Sequence, residues 1–169
     1  AGDVVAASGP MDLAPVTGSV GHVGFAGLTT GGGYGPLIGR FGLALDNLVA
    51  AEVVLADGQV AKASARDDAE LLWALRGGGG NFGVITEMQH RLQDLPSVHA
   101  GQLFYLLTEA EAILTRMADL AASMPDELSI QIGIAMAPDG KRVFFIAPTW
   151  SGTASEGDAH IARLAKLGT

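Results

Sequence analysis

Thr17-Gly18-Ser19-Val20-Gly21-His22-Val23-Gly24-Phe25-Ala26-Gly27-Leu28-Thr29-Thr30-Gly31-Gly32-Gly33-Tyr34-Gly35 sets the problem that any fold for this chain has to solve. Its glycines recur at intervals of three from Gly18 to Gly27, then close up into Gly31-Gly32-Gly33. Neither the 3.6-residue period of a helix nor the alternation of a strand accounts for that spacing, so it reads as an irregular, tightly folded loop. The whole chain carries 24 Gly, gathered into Gly18–Gly42 and Gly77–Gly83 rather than scattered. Glycine costs conformational entropy and is kept where the backbone must take positive φ or be closely approached. Two backbone-defined sites are therefore expected. Unobstructed N–H groups in such a loop can ring an anion, and Arg40 is the only cation close by in sequence. A bound pyrophosphate would thus be held by main-chain donors; the competing reading is that the glycines serve only tight turns and strand crossings.

Upstream, Asp3-Val4-Val5-Ala6-Ala7 reads as a strand and Ser8-Gly9-Pro10 as a turn, beginning without a cap as if cut. Downstream, Leu48 to Ala56 reads as a buried strand and Asp57-Gly58 as a two-residue hairpin turn, with Val60 to Ala63 returning antiparallel. Asp67 and Glu70 resemble a capping box opening a helix through Trp73, a core candidate, to Arg76 and Gly77. Val84 to Leu92 alternates as a half-buried strand. Glycine then becomes sparse, which places a boundary near residues 94 to 98, dividing 1–96 from 97–169. The second part reads βαββα: strand His99 to Leu107, a helix opened by Thr108 and Glu111, strands Leu128 to Met136 and Lys141 to Trp150 joined through Pro138-Asp139-Gly140, and a helix opened by Thr153 and Glu156.

Composition removes several function classes. A net charge of −8 with 10 Lys and Arg opposes nucleic-acid binding. No apolar run reaches the roughly 18 to 20 residues of a membrane span, so a soluble protein is expected, with the cytoplasm favoured over other compartments. The absence of Cys rules out a disulfide or thiolate site in this chain, and His22, His90, His99 and His160 lack ligand spacing, so no metal is expected. Gly78-Gly79-Gly80-Asn81-Phe82-Gly83 matches GxGxxG by letter. That dinucleotide fingerprint needs a strand before it and a helix after it, and here the predicted order is reversed. Asp46-Asn47 reads as a backbone cap rather than an acid-base pair.

Taken together, VGFAGLTTGGGYGPLIGRFGLALDNLVAAEVVLADG and the later ELLWALRGGGGNFGVIT resemble the berberine-bridge-enzyme-like flavoprotein oxidoreductases, within the PCMH-type (vanillyl-alcohol-oxidase-type) FAD superfamily. The similarity is motif-grade over residues 15 to 96 and positional beyond residue 98. It implies an α+β fold: the second subdomain of a PCMH-type FAD-binding domain, then the start of an antiparallel-sheet substrate domain with helices. The implied cofactor is FAD, met by Gly18, Ser19, Val20, Gly24, Gly27 and Leu28 on the pyrophosphate, ribityl and flavin side and by Gly83, Val84 and Ile85 on the adenine side. The implied reaction is hydride transfer from a small alcohol, hemiacetal or amine, with no catalytic residue assignable in this stretch and a fragment inactive alone. Val20 stands where some relatives carry a flavin-linked cysteine, and Leu28 where plant-type relatives often carry histidine. The alternative is a non-catalytic module that binds or self-associates through exposed sheet edges.

Overall fold

A computed structural model describes residues 1–168. Contacts between residues divide the chain into two compact units, one spanning Ala1–Pro96 and the other beginning at Ser97. The first unit opens with a helix, α1 (Gly2–Ser8), where the sequence suggested a strand. Val4-Val5 carries the strand signal, but Ala6-Ala7 continues it with strong helix formers and Asp3 lies in the first turn, where a carboxylate suits the helix dipole. Strand β1 (Leu13–Pro15) follows and pairs antiparallel with β5 (Leu92–Asp94), so both ends of the glycine segment's surroundings are pinned.

The glycine segment itself is not wholly irregular. It contains α2 (Phe25–Thr30), and α3 (Ile38–Phe41) follows it. A 3₁₀ turn at Ala44–Asn47 then leads into a three-stranded antiparallel sheet of order β3-β2-β4, made of β2 (Leu48–Val54), β3 (Val60–Ser64) and β4 (Val84–His90). A register shift between Leu48 and Ala50 leaves Val49 exposed and lets Leu48 join Ala51 and Val53 on the inner face. Against that face lies α4 (Ala69–Gly78), burying Leu72 and Leu75. Its cap is Asp68, whose side chain accepts from the Leu71 amide at 2.8 Å, while Asp67 accepts from Ser64 Oγ. Trp73 is 75% exposed, contrary to the core assignment. Leu72 and Leu75 share one helical face, and the residue after Leu72 is rotated about 100° from it. The helix is regular to Leu75; Arg76 and Gly77 leave helical φ/ψ, and Arg76 folds back to donate to the Leu48 carbonyl at 2.6 and 3.2 Å.

The second unit is a sheet with two helices. Its central strand β9 (Arg142–Trp150) pairs along one edge with β6 (His99–Ala100) and β7 (Leu103–Leu106), and along the other with β8 (Leu128–Met136). The single strand expected from His99 to Leu107 is broken for a reason carried by Pro148. In a strand the N–H and C=O of one residue point to the same side; Pro148 O accepts from Gly101, so its missing donor falls in the gap between β6 and β7. Helices α5 (Ala110–Ala121) and α6 (Ala154–Ala165) supply Ile113 and Leu164 to a core with Tyr105, Leu128, Phe144, Ile146, Trp150 and Leu167. Thr108 is not a cap: a 3₁₀ turn at Leu107–Glu109 precedes α5 and Glu109 takes the capping position. Thr153 does precede α6, with its hydroxyl bonded to Glu156. Among the described residues no helix is long and apolar enough to cross a membrane.

Both hairpins use the same three-residue loop. At Ala56-Asp57-Gly58 the Gly58 amide donates to Leu55 O and the Leu55 amide to Gln59 O, and Pro138-Asp139-Gly140 repeats the pattern between Ala137 and Lys141. The two-residue turn expected at Asp57-Gly58 is thus one residue longer. In each, the aspartate accepts from the amide two residues on, and the glycine sits at φ near +82° or +81°. Bonds from the Lys141 side chain and amide hold the Asp139 carboxyl below its usual range. Gly140→Ala is expected to lose about 1–2 kcal/mol, because the left-handed conformation penalises a Cβ even in open space; equilibrium urea unfolding would measure it.

Candidate functional site

The two glycine clusters, separated in sequence, come together because α2 packs against α4 and against the Gly79–Asn81 turn that follows it. Within them the glycines divide by what a side chain would meet. At Gly18 an added Cβ would lie 2.7 Å from Leu28 Cδ1, and at Gly33 it would lie 2.3 Å from the Ala44 Cβ. At Gly35 it would strike the Thr17 carbonyl at 1.8 Å, and at Gly83 the Val54 carbonyl at 2.4 Å. Gly33, Gly35 and Gly83 are required by the protein's own packing, whereas Gly18 meets only the movable tip of Leu28. Gly24, the residue capping α2, and Gly27 inside it are different: both are exposed and nothing lies within 4 Å of either built Cβ. Glycine within a helix costs about 0.5–1 kcal/mol relative to alanine. At Gly27 no neighbour among the described residues accounts for that cost.

The remaining sequence-derived site residues fall unevenly. Ser19 and Val20 are exposed on the stretch before α2. Leu28 is half-buried, its side chain filling the space between Gly18 and Gly33. Val84 and Ile85 point to opposite faces of β4: Ile85 packs under α4 with the core, whereas Val84 is 68% exposed. On that outer face Val60, Val54 and Val84 are direct cross-strand partners, forming one apolar row over three strands. The next row is Lys62, Glu52 and Glu87. The GxGxxG run of Gly78–Gly83 lies between α4 and β4, the inverse of the dinucleotide-fingerprint order.

Behind the glycine segment is a polar network that single-sequence reading did not find. Asn47, 2% exposed, donates through Nδ2 to Phe41 O and Leu43 O at 3.0 Å each, and accepts from Gln93 Nε2 at 2.8 Å. Its backbone carbonyl accepts from the Arg91 amide at 2.7 Å, and Asp46 accepts from the Leu43 amide at 2.8 Å. The capping role read for Asp46-Asn47 is what these bonds perform. His90 sits beside it, Nδ1 at 3.0 Å from Arg91 O and Nε2 at 3.1 Å from Ala44 O, with the Phe25 ring edge-on at 4.8 Å. Burial holds its imidazole below the ordinary value of 6.5, although the two carbonyls pull the other way. The folded state therefore takes up this proton less readily than the unfolded chain. The resulting stability is complete above about pH 6.5 and is lost as the pH falls toward the folded value. Thr17 and Thr29, on the stretch before α2 and within it, bury hydroxyls without a partner among the described residues.

No protein-family model matches the chain. An FAD-linked oxidoreductase of Dictyostelium discoideum is 35% identical across 99% of this chain, which spans 36% of that relative. The crystal structure of 6-hydroxy-D-nicotine oxidase from Arthrobacter nicotinovorans superimposes with a TM-score of 0.86 at 35% identity, covering 99% of this chain and 38% of that one. The chain belongs to the berberine-bridge-enzyme-like FAD-linked oxidoreductases. A berberine-bridge-enzyme-like protein of Arabidopsis thaliana agrees, with a TM-score of 0.85 at 30% identity over 96% of this chain and 34% of that protein. The α+β architecture is that of the PCMH-type FAD oxidases. This chain spans about a third of the length of the family members it matches.

Members of this family are FAD-linked enzymes, and the residues here fit such a group. Among the described residues nothing lies within 4 Å of a Cβ built at Gly24 or Gly27, so the backbone there is open to a bound group.

Proposed function

We propose that the first unit forms one wall of an FAD site in a longer oxidoreductase and that the second unit begins its substrate domain. The observation that carries this reading is the open space over Gly24 and Gly27, where glycine serves no packing need of the chain itself. Gly18, Ser19 and Val20 continue that wall on the pyrophosphate and flavin side. The row Val60-Val54-Val84, beginning beside Gly83, offers a flat apolar surface suited to the adenine end. Leu28 contributes its main chain, since its side chain is committed to Gly18 and Gly33.

When bound, FAD supplies hydride acceptance from a small alcohol, hemiacetal or amine. This chain's residues bind and orient: the backbone of α2 excludes side chains from the contact, while Gly33 and Gly35 let the Ala44 turn and the Thr17 segment approach closely. Val20 has no sulfur, so the parent carries at most one covalent flavin link. With the rest of the site outside this chain, the chain alone holds FAD weakly and is inactive.

Flavin fluorescence quenching on the purified chain tests this. Weak but saturable quenching is expected, and Gly27→Leu should weaken it about tenfold while raising helix stability by roughly 0.7 kcal/mol. Equal affinity in the variant contradicts the site, and tight binding by the wild-type chain contradicts the half-site.

A second reading, self-association through β8, is favoured by Ile132, Ile134 and Met136, which are 47%, 62% and 65% exposed on the helix-facing side beyond the helices' cover. Sedimentation should then show association that Ile134→Lys abolishes; a wild-type monomer at high concentration removes this reading.

A further inference from the structure

His90 touches both arms of the glycine segment. Its Nε2 meets the carbonyl of Ala44, whose amide donates to Gly33 O at 3.0 Å, and the following Leu45 amide donates to Gly32 O at 3.0 Å. Its ring face receives Phe25, the first residue of α2, next to Gly24 and two before Gly27. Its Nδ1 meets Arg91 O on the connection from β4 to β5. Both ring nitrogens therefore face carbonyl oxygens, which can only accept. A neutral imidazole has one N–H and can satisfy one of them; an imidazolium has two and satisfies both.

We propose that His90 is a positioning residue for the cofactor wall, a clasp whose proton count sets how firmly the Gly32–Gly33 turn and α2 are held to β4. The inference rests on the FAD reading above. Among the described residues no carboxylate governs the ring. Asp46, on the Ala44 turn, is bonded to the Leu43 amide. Helix α2 carries no ionisable side chain. On the sheet, His90 pairs with Leu48, whereas Glu52 and Glu87 pair farther along, and Arg91 and Asp94 lie on the following connection and strand. What acts on the ring is burial and the two carbonyls. Burial opposes the second charge more than the two carbonyls favour it, so the neutral ring is the form that holds the turn; protonation favours arrangements in which the imidazolium reaches water, loosening the turn and leaving more ordering for a ligand to impose.

NMR on the full 169-residue chain tests the clasp without reference to activity. The His90 Cε1–H resonance and the amides of Gly32, Gly33 and Leu45 are followed from about pH 8 to about pH 5. The expected result is one shared midpoint, with the amide response abolished in His90→Gln, which keeps a donor toward Ala44 but cannot take the proton. Glycine amides that stay flat through the His90 titration overturn the clasp. In a second arm, FAD affinity from fluorescence quenching should fall on the order of fivefold as His90 takes up the proton and be level in His90→Gln. Affinity that ignores pH while the amides titrate overturns the positioning role. Titrating amides with no FAD quenching at any pH instead sink the cofactor reading.

Discussion

Asn47→Ala should destabilise the first unit by about 3 kcal/mol, seen as a lower midpoint in urea unfolding followed by far-UV circular dichroism. The side chain is buried and its amide uses both donors and its oxygen on three separate partners, Phe41 O, Leu43 O and Gln93 Nε2. Truncation strands the Phe41 carbonyl and the Gln93 side-chain amide in a place water reaches poorly, whereas Leu43 O keeps its bond from the Asp46 amide; each buried group left unmade costs about 1–3 kcal/mol before local relaxation. For a unit of this size the shift corresponds to a fall in Tm of roughly 12–24 °C. A loss below about 1 kcal/mol would mean that solvent reaches these groups and that the network is dispensable. Gln93→Ala removes only one bond and should cost far less.

Gly83→Ala is expected to cost as much or more, about 3–5 kcal/mol, for a different reason. Its φ of +150° is poorly open to a residue with a side chain, and the new methyl would lie 2.4 Å from Val54 O and 2.8 Å from Val53 Cγ1. Neither neighbour can yield easily, since Val54 is paired on both sides and Val53 is fully buried. The variant should lose the β2–β4 pairing first, read as faster hydrogen exchange at Val53 and Val84. Protection equal to the wild type would show that the strand start can shift at little cost. Gly83 and Gly27 thus stand in two glycine clusters for different physical causes, the first fixed by the sheet and the second by no neighbour among the described residues.

The elements that announce themselves in the sequence are those whose signal is local. Asp-Gly and Pro-Asp-Gly mark both hairpins because the left-handed position at their end suits glycine, and the spacing of Ile113, Met117, Leu120 and Met124 marks α5 because 3.6 periodicity needs no partner to be seen. Helix α2 is invisible by the same logic. Six residues with a glycine inside and another at the cap do not nucleate alone, and α2 exists because α4 and the Gly79–Asn81 turn receive it. The valine row requires the register of β4 on β2, across more than twenty intervening residues. His90 and Ala44 are 46 positions apart, and a lone histidine in a strand pattern carries no mark of two carbonyl partners. Trp73 shows the converse error, where hydrophobic identity outweighed its place on the helix.

That misplaced residue determines what light can report about this molecule. The chain has two tryptophans, one in each unit: Trp73 stands in solvent, while Trp150 is 3% exposed, stacked on His160 at 4.7 Å. Unfolding changes the surroundings of Trp150 and leaves those of Trp73 nearly as they were. Intrinsic emission is therefore a gauge of the half that begins at Ser97, and damage around the glycine wall will pass beneath it unseen.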